Sequence, residues 1–467
     1  MDLSRLPAVP PLPPGFADLL RARFGEACQT SEAIRTQHGA SESHFPTVLP
    51  GAVVFAGSTQ DVVDCVNLCR AHGVAIVPFG AGTSLEGHTL PLAGGVSLDL
   101  SRMDALVAVN HADFDCVIQP GIRREALNAH LRDTGLFFPI DPGANATIGG
   151  MAATRASGTN AVRYGTMREA VLGLEVVTTQ GKVIRTGRRA KKSANGYDLT
   201  RLYVGSEGTL GIITEITLRL HSMPEAIMAA CCAFETLEGA VDTVVQAFHC
   251  GVPMARIELL DTALVRAVNR WSKLDMPEAP TLMFEFHGSP SGVAEQVETI
   301  RALAAANGGG NFAWAERTED RTRLWRARHE AYYASIAVRA GAIGWTTDVC
   351  VPMSRLAECI TQTRAELDRS AIPTTIVGHV GDGNFHVLFA IDPGSPAELA
   401  EVEAMNARIV ERALAADGTC SGEHGIGLGK QEWLLAELGE DAVDVMRTLK
   451  RALDPDGLFN PGKIFSM

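Results

Sequence analysis

Apolar runs alternate with helix-like polar segments along the first half of the chain, beginning after Pro50. Residues 52–56 predict a strand, and the segment that starts at Ser58, with a carboxylate three residues later, is typical of a helix start. Gly73 fits the end of this helix, and the apolar run 74–77 predicts a second strand. The pattern predicts a strand, helix, strand unit that leads directly into a glycine-rich loop.

This loop, residues 78–91, directly follows the strand and contains three glycines and, at Thr83 and Ser84, two adjacent hydroxyl residues. Glycine lets backbone N–H groups approach a ligand closely, and successive N–H groups in such a turn form a concave anion site. A dinucleotide pyrophosphate is the favoured ligand, and an ordinary surface loop is the alternative. A Rossmann site is disfavoured because the third glycine of its fingerprint is absent; residues 425–431 also fail the P-loop pattern, since their spacing is one residue short.

Two further loops of small residues, 141–151 and 204–213, predict a long ligand that is held at several points. Residues 171–178 and 182–186 alternate around Gly181 and predict a hairpin. From residue 224 to about 417, strands alternate with helices rich in alanine, glutamate and arginine. The predicted fold class is therefore α+β.

Two histidines flank a turn signal in this second half. The apolar runs 374–380 and 385–391 surround Asp382 and Gly383, which favour a two-residue turn. Such a turn would place His379 directly opposite His386, with Cβ atoms about 4.5–5.5 Å apart. The pair could share one metal ion, and two separately hydrogen-bonded histidines are the alternative.

Composition restricts the classes of function. The 467 residues, 46% of them hydrophobic, suit two or three domains. A net charge of −13 and a pI near 5.5 argue against nucleic acid as a partner. The ten cysteines lack metal-binding spacing and suggest reduced thiols. Without an apolar run of membrane-spanning length or a recognisable leader, we expect a cytoplasmic protein that begins at its first residue, with peripheral membrane attachment left open.

The three loops and the C-terminal tail resemble the FAD-linked oxidoreductases of the vanillyl-alcohol oxidase type, which have a PCMH-type FAD-binding domain. Residues 378–386 and 421–427 resemble the D-2-hydroxy-acid dehydrogenase branch of that family. The resemblance extends from about residue 46 to the C-terminus. It implies an N-terminal lead-in (1–45), an FAD-binding domain (46–224), an inserted α/β cap domain with an antiparallel sheet (225–419) and a segment that returns to the FAD-binding domain (420–467).

The resemblance also implies how FAD is bound. Residues 80–84 and 146–150 would hold the pyrophosphate, and residues 207–213 would lie near the ring or the adenine. Relatives with covalent flavin carry a histidine where Thr83 and Ser84 stand, so non-covalent FAD is expected, although His88 is close in sequence. The implied FAD-contacting residues are Pro78, Gly80, Ala81, Gly82, Thr83, Ser84, Pro142, Gly143, Ala146, Thr147, Gly149, Gly150, Ser157, Gly158, Tyr164, Glu207, Gly208, Gly211, Ile212, Ile213 and Asn460.

For the chemistry, the resemblance implies Glu423 as a third metal ligand beside His379 and His386. Zinc and manganese both suit two imidazoles and a carboxylate. His424 is the implied catalytic base, because histidine can accept a proton near neutral pH. The metal would bind the substrate oxygens, His424 would take the hydroxyl proton, and the C2 hydrogen would pass to the flavin as hydride.

Arg328 matches the family's substrate arginine and, with Trp325 and Tyr332, forms the implied substrate-binding set. Relatives that act on D-2-hydroxyglutarate carry polar or charged residues where Leu388 and Thr346 stand here. Oxidation of D-lactate to pyruvate is therefore favoured, with glycolate or D-2-hydroxyglutarate as alternative substrates. Two further functions stay open: a flavoprotein subunit of a larger electron-transfer complex, and a non-catalytic metal-stabilised binding protein. The electron acceptor (cytochrome, quinone or electron-transfer flavoprotein) and a homodimer are left open.

Overall fold

The computed structural model describes residues 9–315 and 317–467, and the chain divides into two compact units. The first unit contains the chain up to Ser157, Gly165–Met223 and Glu423–Met467. The second contains Gly158–Tyr164 and Pro224–Gly422. The short segment Gly158–Tyr164 thus differs from the predicted division, which assigned it to the FAD-binding domain.

The strands, in chain order, are β1 (Cys28–Gln29), β2 (Ala52–Phe55), β3 (Ile76–Phe79), β4 (Val96–Asp99), β5 (Leu106–Asn110), β6 (Asp115–Ile118), β7 (Leu136–Phe137), β8 (Val171–Val177), β9 (Val183–Arg185), β10 (Ile212–Arg219), β11 (His221–Ser222), β12 (Ala226–Phe234), β13 (Met254–Leu260), β14 (Thr281–Gly288), β15 (Gly309–Ala315), β16 (Ile343–Thr346), β17 (Val349–Cys350), β18 (Thr374–His379) and β19 (Asn384–Ile391).

The helices are α1 (Phe16–Phe24), α2 (Glu32–Gly39), α3 (Thr59–Ala71), α4 (Arg124–Leu131), α5 (Ile148–Thr154), α6 (Ala161–Tyr164), α7 (Met167–Ala170), α8 (Leu199–Tyr203), α9 (Leu237–His249), α10 (Thr262–Ser272), α11 (Pro290–Ala306), α12 (Thr318–His329), α13 (Ala331–Ile336), α14 (Met353–Leu367), α15 (Pro396–Ala415), α16 (Gln431–Leu438) and α17 (Glu440–Leu453).

The predicted strand, helix, strand unit forms part of a four-stranded sheet with the order β1-β2-β4-β3. β2 and β3 both run parallel to β4. Ser58 caps α3 by accepting the backbone N–H of Asp61. β1 pairs with β2, and Phe16 and Leu20 of α1 are buried in the same core. The predicted lead-in, 1–45, thus contributes α1 and β1 to this sheet and its core.

A second sheet in the first unit is antiparallel, with the order β5-β6-β10-β8-β9. The predicted hairpin around Gly181 corresponds to β8 and β9. Its turn includes a hydrogen bond from the N–H of Thr178 to the carbonyl of Lys182 (2.9 Å). A short pair, β7 and β11, adds a further ribbon.

The last segment of the chain extends the edge of the first sheet. Ile76 donates its N–H to the carbonyl of Leu458, and Asn460 donates its N–H to the carbonyl of Ile76, both at 2.8 Å. The buried Lys450 donates to the carbonyls of Thr209 (2.6 Å) and Phe459 (2.8 Å). These bonds explain why Glu423–Met467 belongs to the unit that holds the N-terminal sheet.

The second unit is built on an eight-stranded sheet with the order β15-β12-β14-β13-β18-β19-β16, and β17 pairs with β19. All of these neighbours are antiparallel. Helices α10, α12 and α13 contribute to an apolar core with residues of one sheet face. The core includes Leu260, Leu264, Val268, Met283, Trp325, Ala331, Val377 and Leu388.

A buried lysine in the first unit gives a prediction for stability. Lys463 is 3% exposed and donates to the carbonyl of Leu90 at 2.7 Å. Burial lowers the pKa of Lys463 from its usual 10.5 to about 7, although Glu207 acts in the opposite direction. A lowered lysine pKa means that the unfolded chain binds the proton more tightly, so this lysine destabilises the fold most below about pH 7.

Between about pH 7 and 10.5 this penalty is relieved, by at most about 1.4 kcal/mol per pH unit. The free energy of unfolding of the wild type, measured relative to Lys463→Met by urea titration, should therefore rise across this pH range. Lys182→Met, which alters an exposed lysine, is the control and should show no such slope. A flat difference between the wild type and Lys463→Met would contradict the assigned pKa.

Candidate active site

Two of the predicted cofactor loops lie against each other in the first unit. A Cβ atom at Gly80 would lie 2.2 Å from Thr147 Oγ1, so only glycine fits at this contact. Gly82 has a φ of +70°, a conformation that favours glycine. The loop after β3 and the loop before α5 thus meet, although they are far apart in the sequence. Ala81, Thr83, Pro142, Gly143, Ala146, Gly149 and Gly150 in these loops are partly or fully exposed.

The third predicted loop also reaches this region. Gly208 has a φ of +70°, and a Cβ there would lie 3.0 Å from the ring of Pro78. The preceding Glu207 accepts the backbone N–H groups of Ile426 and Gly427, both at 2.8 Å. Its Oε1 is also 3.3 Å from His88 Nε2.

Burial would raise the pKa of Glu207, but His88 and the two N–H groups hold that pKa below its usual value. The ionised Glu207 carboxylate thus holds the start of the last segment, where a Cβ at Gly425 would lie only 2.8 Å from Glu207 Oε1. The predicted contact between Glu207 and FAD stays a prediction.

Other polar groups at these loops fit a dinucleotide. The oxygens Ser84 Oγ, Thr89 Oγ1 and Asn460 Oδ1 are buried and have no hydrogen-bond partner among the described residues. Asn460 Nδ2 donates to the carbonyls of His88 (3.0 Å) and Glu207 (2.8 Å), which fixes the direction of its amide. Buried hydroxyl and amide groups need partners, and phosphate or ring atoms of a cofactor could supply them.

Three predicted cofactor residues also serve the interior of the unit, and their contact with FAD stays a prediction. Ile212 and Ile213 pair with Val177 and Val176 in the antiparallel sheet, and their side chains are buried in two hydrophobic cores. A Cβ at Gly211 would lie 2.5 Å from Val176 Cγ1. Their backbone and side chains thus take part in sheet pairing and core packing. The sequence pattern alone did not reveal this structural role.

The predicted register of the two histidines was wrong. His379 pairs with Asn384, and His386 pairs with Val377. The connection is a four-residue turn, residues 380–383, rather than a two-residue turn. His379 and His386 are therefore diagonal neighbours, which still share one face because side chains alternate along a strand. Their ring centroids are 5.4 Å apart and nearly perpendicular.

A buried glutamate that sequence reasoning missed connects two of the predicted site residues. Glu258 on β13 is 0% exposed. Its Oε1 is 2.7 Å from His379 Nδ1, and its Oε2 is 2.7 Å from Arg328 Nε and 2.6 Å from Arg328 Nη2. Burial would raise the pKa of Glu258, but Arg328 and His379 hold it below its usual value. The signal was a carboxylate at an inward position of a strand in which Arg256 is the other charged residue.

The hydrogen bonds of both histidines fit a metal site. An ionised Glu258 can only accept, so His379 Nδ1 carries the proton, and His386 Nδ1 lies 3.1 Å from the carbonyl of Thr347. In its neutral form each ring then presents Nε2 as its electron-pair donor. Imidazoles oriented in this way by a carboxylate or a carbonyl are typical ligands of zinc and related metals.

The other two predicted chemical residues, Glu423 and His424, open the last segment of the first unit. Glu423 follows Gly422 directly in the chain, and Gly422 is the last residue of the second unit. The distance between Glu423 Oε1 and His424 Nε2 is 3.8 Å. The preceding Ser421 donates its hydroxyl to Asp348 Oδ2 at 2.9 Å.

The predicted substrate residues differ in their surroundings. Arg328 is 9% exposed. Trp325 is 5% exposed, lies in the apolar core of the second unit, and has the Arg256 guanidinium 4.8 Å from its ring centroid. Tyr332 packs against the same core. Packing and a cation–π contact thus hold Trp325 in place, and its predicted contact with substrate stays a prediction.

Tyr164, a predicted FAD contact, lies in the second unit with Gly158, whereas Ser157 lies in the first. The hydroxyl of Tyr164 is 2.7 Å from His287 Nδ1, and His287 Nε2 is 2.8 Å from Glu285 Oε1. Burial would raise the pKa of Glu285, but Arg256 and His287 hold it below its usual value. His287 therefore donates to Glu285 and accepts the hydroxyl of Tyr164.

Comparison with known families decides the class of this site. Residues 223–464, more than half of the 467-residue chain, match the C-terminal domain of the FAD linked oxidases. The chain belongs to the FAD linked oxidase family. Residues 50–187 of this oxidase also match an FAD binding domain. The protein is therefore an FAD-dependent oxidoreductase.

The relatives and structural neighbours of this FAD linked oxidase are consistent with one another. It is 50% identical to a probable mitochondrial D-lactate dehydrogenase of Danio rerio, over 95% of this chain and 90% of the relative. It is 46% identical to the mitochondrial D-lactate dehydrogenase (cytochrome) of Arabidopsis thaliana, over 91% and 76%. The structure of p-cresol methylhydroxylase covers 98% of both chains with a TM-score of 0.81 and 17% identity. The predicted α+β, PCMH-type fold is confirmed.

The predicted cytoplasmic location was wrong. Both of these relatives are named as mitochondrial proteins. The absence of a recognisable leader in the sequence was a weak guide. Within residues 9–315 and 317–467, no helix combines the length and the apolarity that crossing a membrane requires.

The contact between the two loops predicts the effect of a single methyl group. Gly80→Ala should raise the dissociation constant for FAD by roughly tenfold or more, the effect of about 1–3 kcal/mol of overpacking, because its Cβ would meet Thr147 Oγ1. The double variant Gly80→Ala/Thr147→Ala should bind FAD more tightly than Gly80→Ala alone. Fluorescence titration of the flavin-stripped protein with FAD measures both.

Gly57→Ala is the matched control in the same unit, because a Cβ there would lie 3.7 Å from the nearest atom. It should bind FAD as the wild type does. Wild-type affinity in Gly80→Ala would show that the two loops do not meet as described.

Proposed function

We propose that this FAD linked oxidase catalyses the metal-assisted oxidation of a D-2-hydroxy acid, with D-lactate as substrate and pyruvate as product. The observation that carries the proposal is the group formed by Arg328, His379 and His386, in which a carboxylate-binding cation lies beside two histidines prepared to bind a metal. The D-lactate dehydrogenase names of the Danio rerio and Arabidopsis thaliana relatives support the substrate.

Each residue has a role that its surroundings support. Arg328 binds the substrate carboxylate through the terminal amino group that does not contact Glu258. His379 and His386 hold a divalent metal, zinc or manganese, through Nε2, and Glu423 is the third ligand. His424 accepts the proton of the C2 hydroxyl. When bound, the metal supplies a Lewis acid for the substrate oxygens, and the non-covalent FAD supplies the acceptor for the hydride from C2.

The selection of a short, uncharged substrate tail is supported by the strand beside His386. Leu388 lies two residues after His386 and therefore on the same face of β19. Thr346 of β16 is directly opposite Leu388. The distal carboxylate of D-2-hydroxyglutarate would find no cationic partner in Leu388 or Thr346. This favours D-lactate over D-2-hydroxyglutarate. For the electron acceptor we propose a cytochrome, the class named in the Arabidopsis thaliana relative.

The test of this function is an anaerobic visible spectrum of the purified protein before and after the addition of D-lactate. D-Lactate should bleach the flavin band, whereas L-lactate should not, and prior treatment with a chelator should abolish the bleaching. Glycolate and D-2-hydroxyglutarate are parallel additions. Bleaching only by one of these would contradict the proposed substrate, and bleaching that a chelator leaves unchanged would contradict the role of a metal.

Two histidine variants separate the base from the metal ligand. His424→Ala should keep wild-type FAD and metal contents and lose at least about a hundredfold in the rate of flavin reduction, the usual scale of general-base catalysis. His379→Ala should lose metal as well as turnover. Metal content by plasma mass spectrometry and stopped-flow flavin reduction measure the two properties. Wild-type turnover in either variant would contradict the assigned roles.

A further inference from the structure

We propose that Glu258 is a positioning residue that aligns the metal ligand His379 and the carboxylate-binding Arg328 through a single side chain, an inference that rests on the proposed function. The two oxygens of its carboxylate serve different partners. Oε1 accepts from His379 Nδ1, and Oε2 accepts from Arg328 Nε and Nη2. One buried group therefore sets the orientation of both.

The location of Glu258 makes this arrangement rigid. It lies on β13, a central strand that pairs with β14 on one side and with β18, the strand of His379, on the other. Leu259 pairs with Gly378. Because the two strands are antiparallel, Glu258, which precedes Leu259, lies opposite His379, which follows Gly378. Arg328, the penultimate residue of α12, reaches Glu258 from that helix.

Each bond has a distinct consequence for ligand binding. The proton on His379 Nδ1 leaves Nε2 as the metal donor, so loss of the acceptor would allow the other tautomer, in which Nε2 is protonated and cannot bind a metal. The bonds from Nε and Nη2 hold the plane of the Arg328 guanidinium, so their loss would release the orientation in which it meets a carboxylate. Glu258 touches neither ligand in this scheme and acts through the two residues that do.

Glutamine at this position tests the division of the two oxygens. Its amide has one oxygen and one NH₂ group, so it can accept from His379 or from Arg328, but not from both. The amide oxygen should face Arg328, which offers two N–H donors and a positive charge. The NH₂ group then faces His379 Nδ1 and favours the tautomer that is unable to bind a metal through Nε2.

The same sheet face offers a matched control. Glu285 on β14 is also buried, contacts a histidine (His287, 2.8 Å) and lies 3.6 Å from an arginine (Arg256). Its histidine is not among the proposed metal ligands. Glu285→Gln therefore makes the same chemical change in a similar triad whose histidine is not a proposed metal ligand. Asp261→Asn, which alters a buried pair with Arg364 (3.0 Å), controls for the loss of a buried charge.

The experiment measures binding by calorimetry in the FAD-bound protein. The metal probe is Mn²⁺ alone, added to chelator-treated and dialysed protein. The acid probe is 2-hydroxy-2-methylpropanoate, which has the hydroxyl and the carboxylate of the substrate but no hydrogen on C2 and so cannot be oxidised; it is added to the metal-free protein. Thermal unfolding midpoints confirm that each variant is folded.

Glu258→Gln should raise the dissociation constant for Mn²⁺ about 10–100-fold, the scale found when partners of metal-bound histidines are removed. Glu258→Ala should raise the constants for both probes, and Glu285→Gln and Asp261→Asn should leave the Mn²⁺ constant within about twofold of the wild type. If Glu258→Ala does not fold, the isosteric Glu258→Gln decides the question.

Constants within about twofold of the wild type for both probes in Glu258→Gln would overturn the inference, as would an equal loss of Mn²⁺ affinity in Glu285→Gln. Because neither probe reacts, the result is independent of D-lactate turnover. A wild type that binds both probes but does not oxidise D-lactate would contradict the proposed substrate, while the Glu258 comparison would still be decided by the binding constants.

Discussion

An ionised carboxylate that is removed from water needs hydrogen-bond donors at both of its oxygens, and this constraint organises the second unit around Glu258. Its two oxygens receive three N–H groups, one from His379 and two from Arg328. Without them, burial would favour the neutral acid. Because the donors come from different elements, a strand and a helix, satisfying Glu258 also fixes the position of α12 on the sheet. The requirement of one buried group thus determines where two functional side chains point.

The first unit contains a second example of the same constraint. Glu207 has a φ of +54° and directs its buried carboxylate at the N–H groups of Ile426 and Gly427 and at His88. These bonds join a loop in the middle of the chain to a segment near its end. In both units, therefore, a buried glutamate connects parts of the chain that are distant in sequence. Removal of either carboxylate would leave several buried donors without partners, which is more costly than the loss of one surface ion pair.

Local patterns predicted the elements of this fold well, because the helix capped by Ser58 and the hairpin around Gly181 follow from short-range rules. The approach of Gly80 to Thr147 could not be predicted in this way, since it depends on how two loops pack. Glu258 was missed because an isolated glutamate in a strand has no distinctive neighbours in the sequence, and its partners are 70 and 121 residues away. A charge at an inward strand position is the signal that a sequence can offer, and the partners must come from the structure.

The two histidines also differ in their hydrogen-bond acceptors, a difference that their similar positions around the turn do not reveal. His379 Nδ1 lies 2.7 Å from the carboxylate of Glu258, whereas His386 Nδ1 lies 3.1 Å from the neutral carbonyl of Thr347 and farther, 3.7 Å, from the carboxylate of Asp348. A carboxylate acceptor increases the basicity of the opposite ring nitrogen more than a carbonyl does, because it stabilises positive charge on the ring. In the metal site proposed above, His379 is therefore the stronger donor. The same carboxylate is shared with Arg328, so the electron density on His379 Nε2 and the orientation of the Arg328 guanidinium are set together.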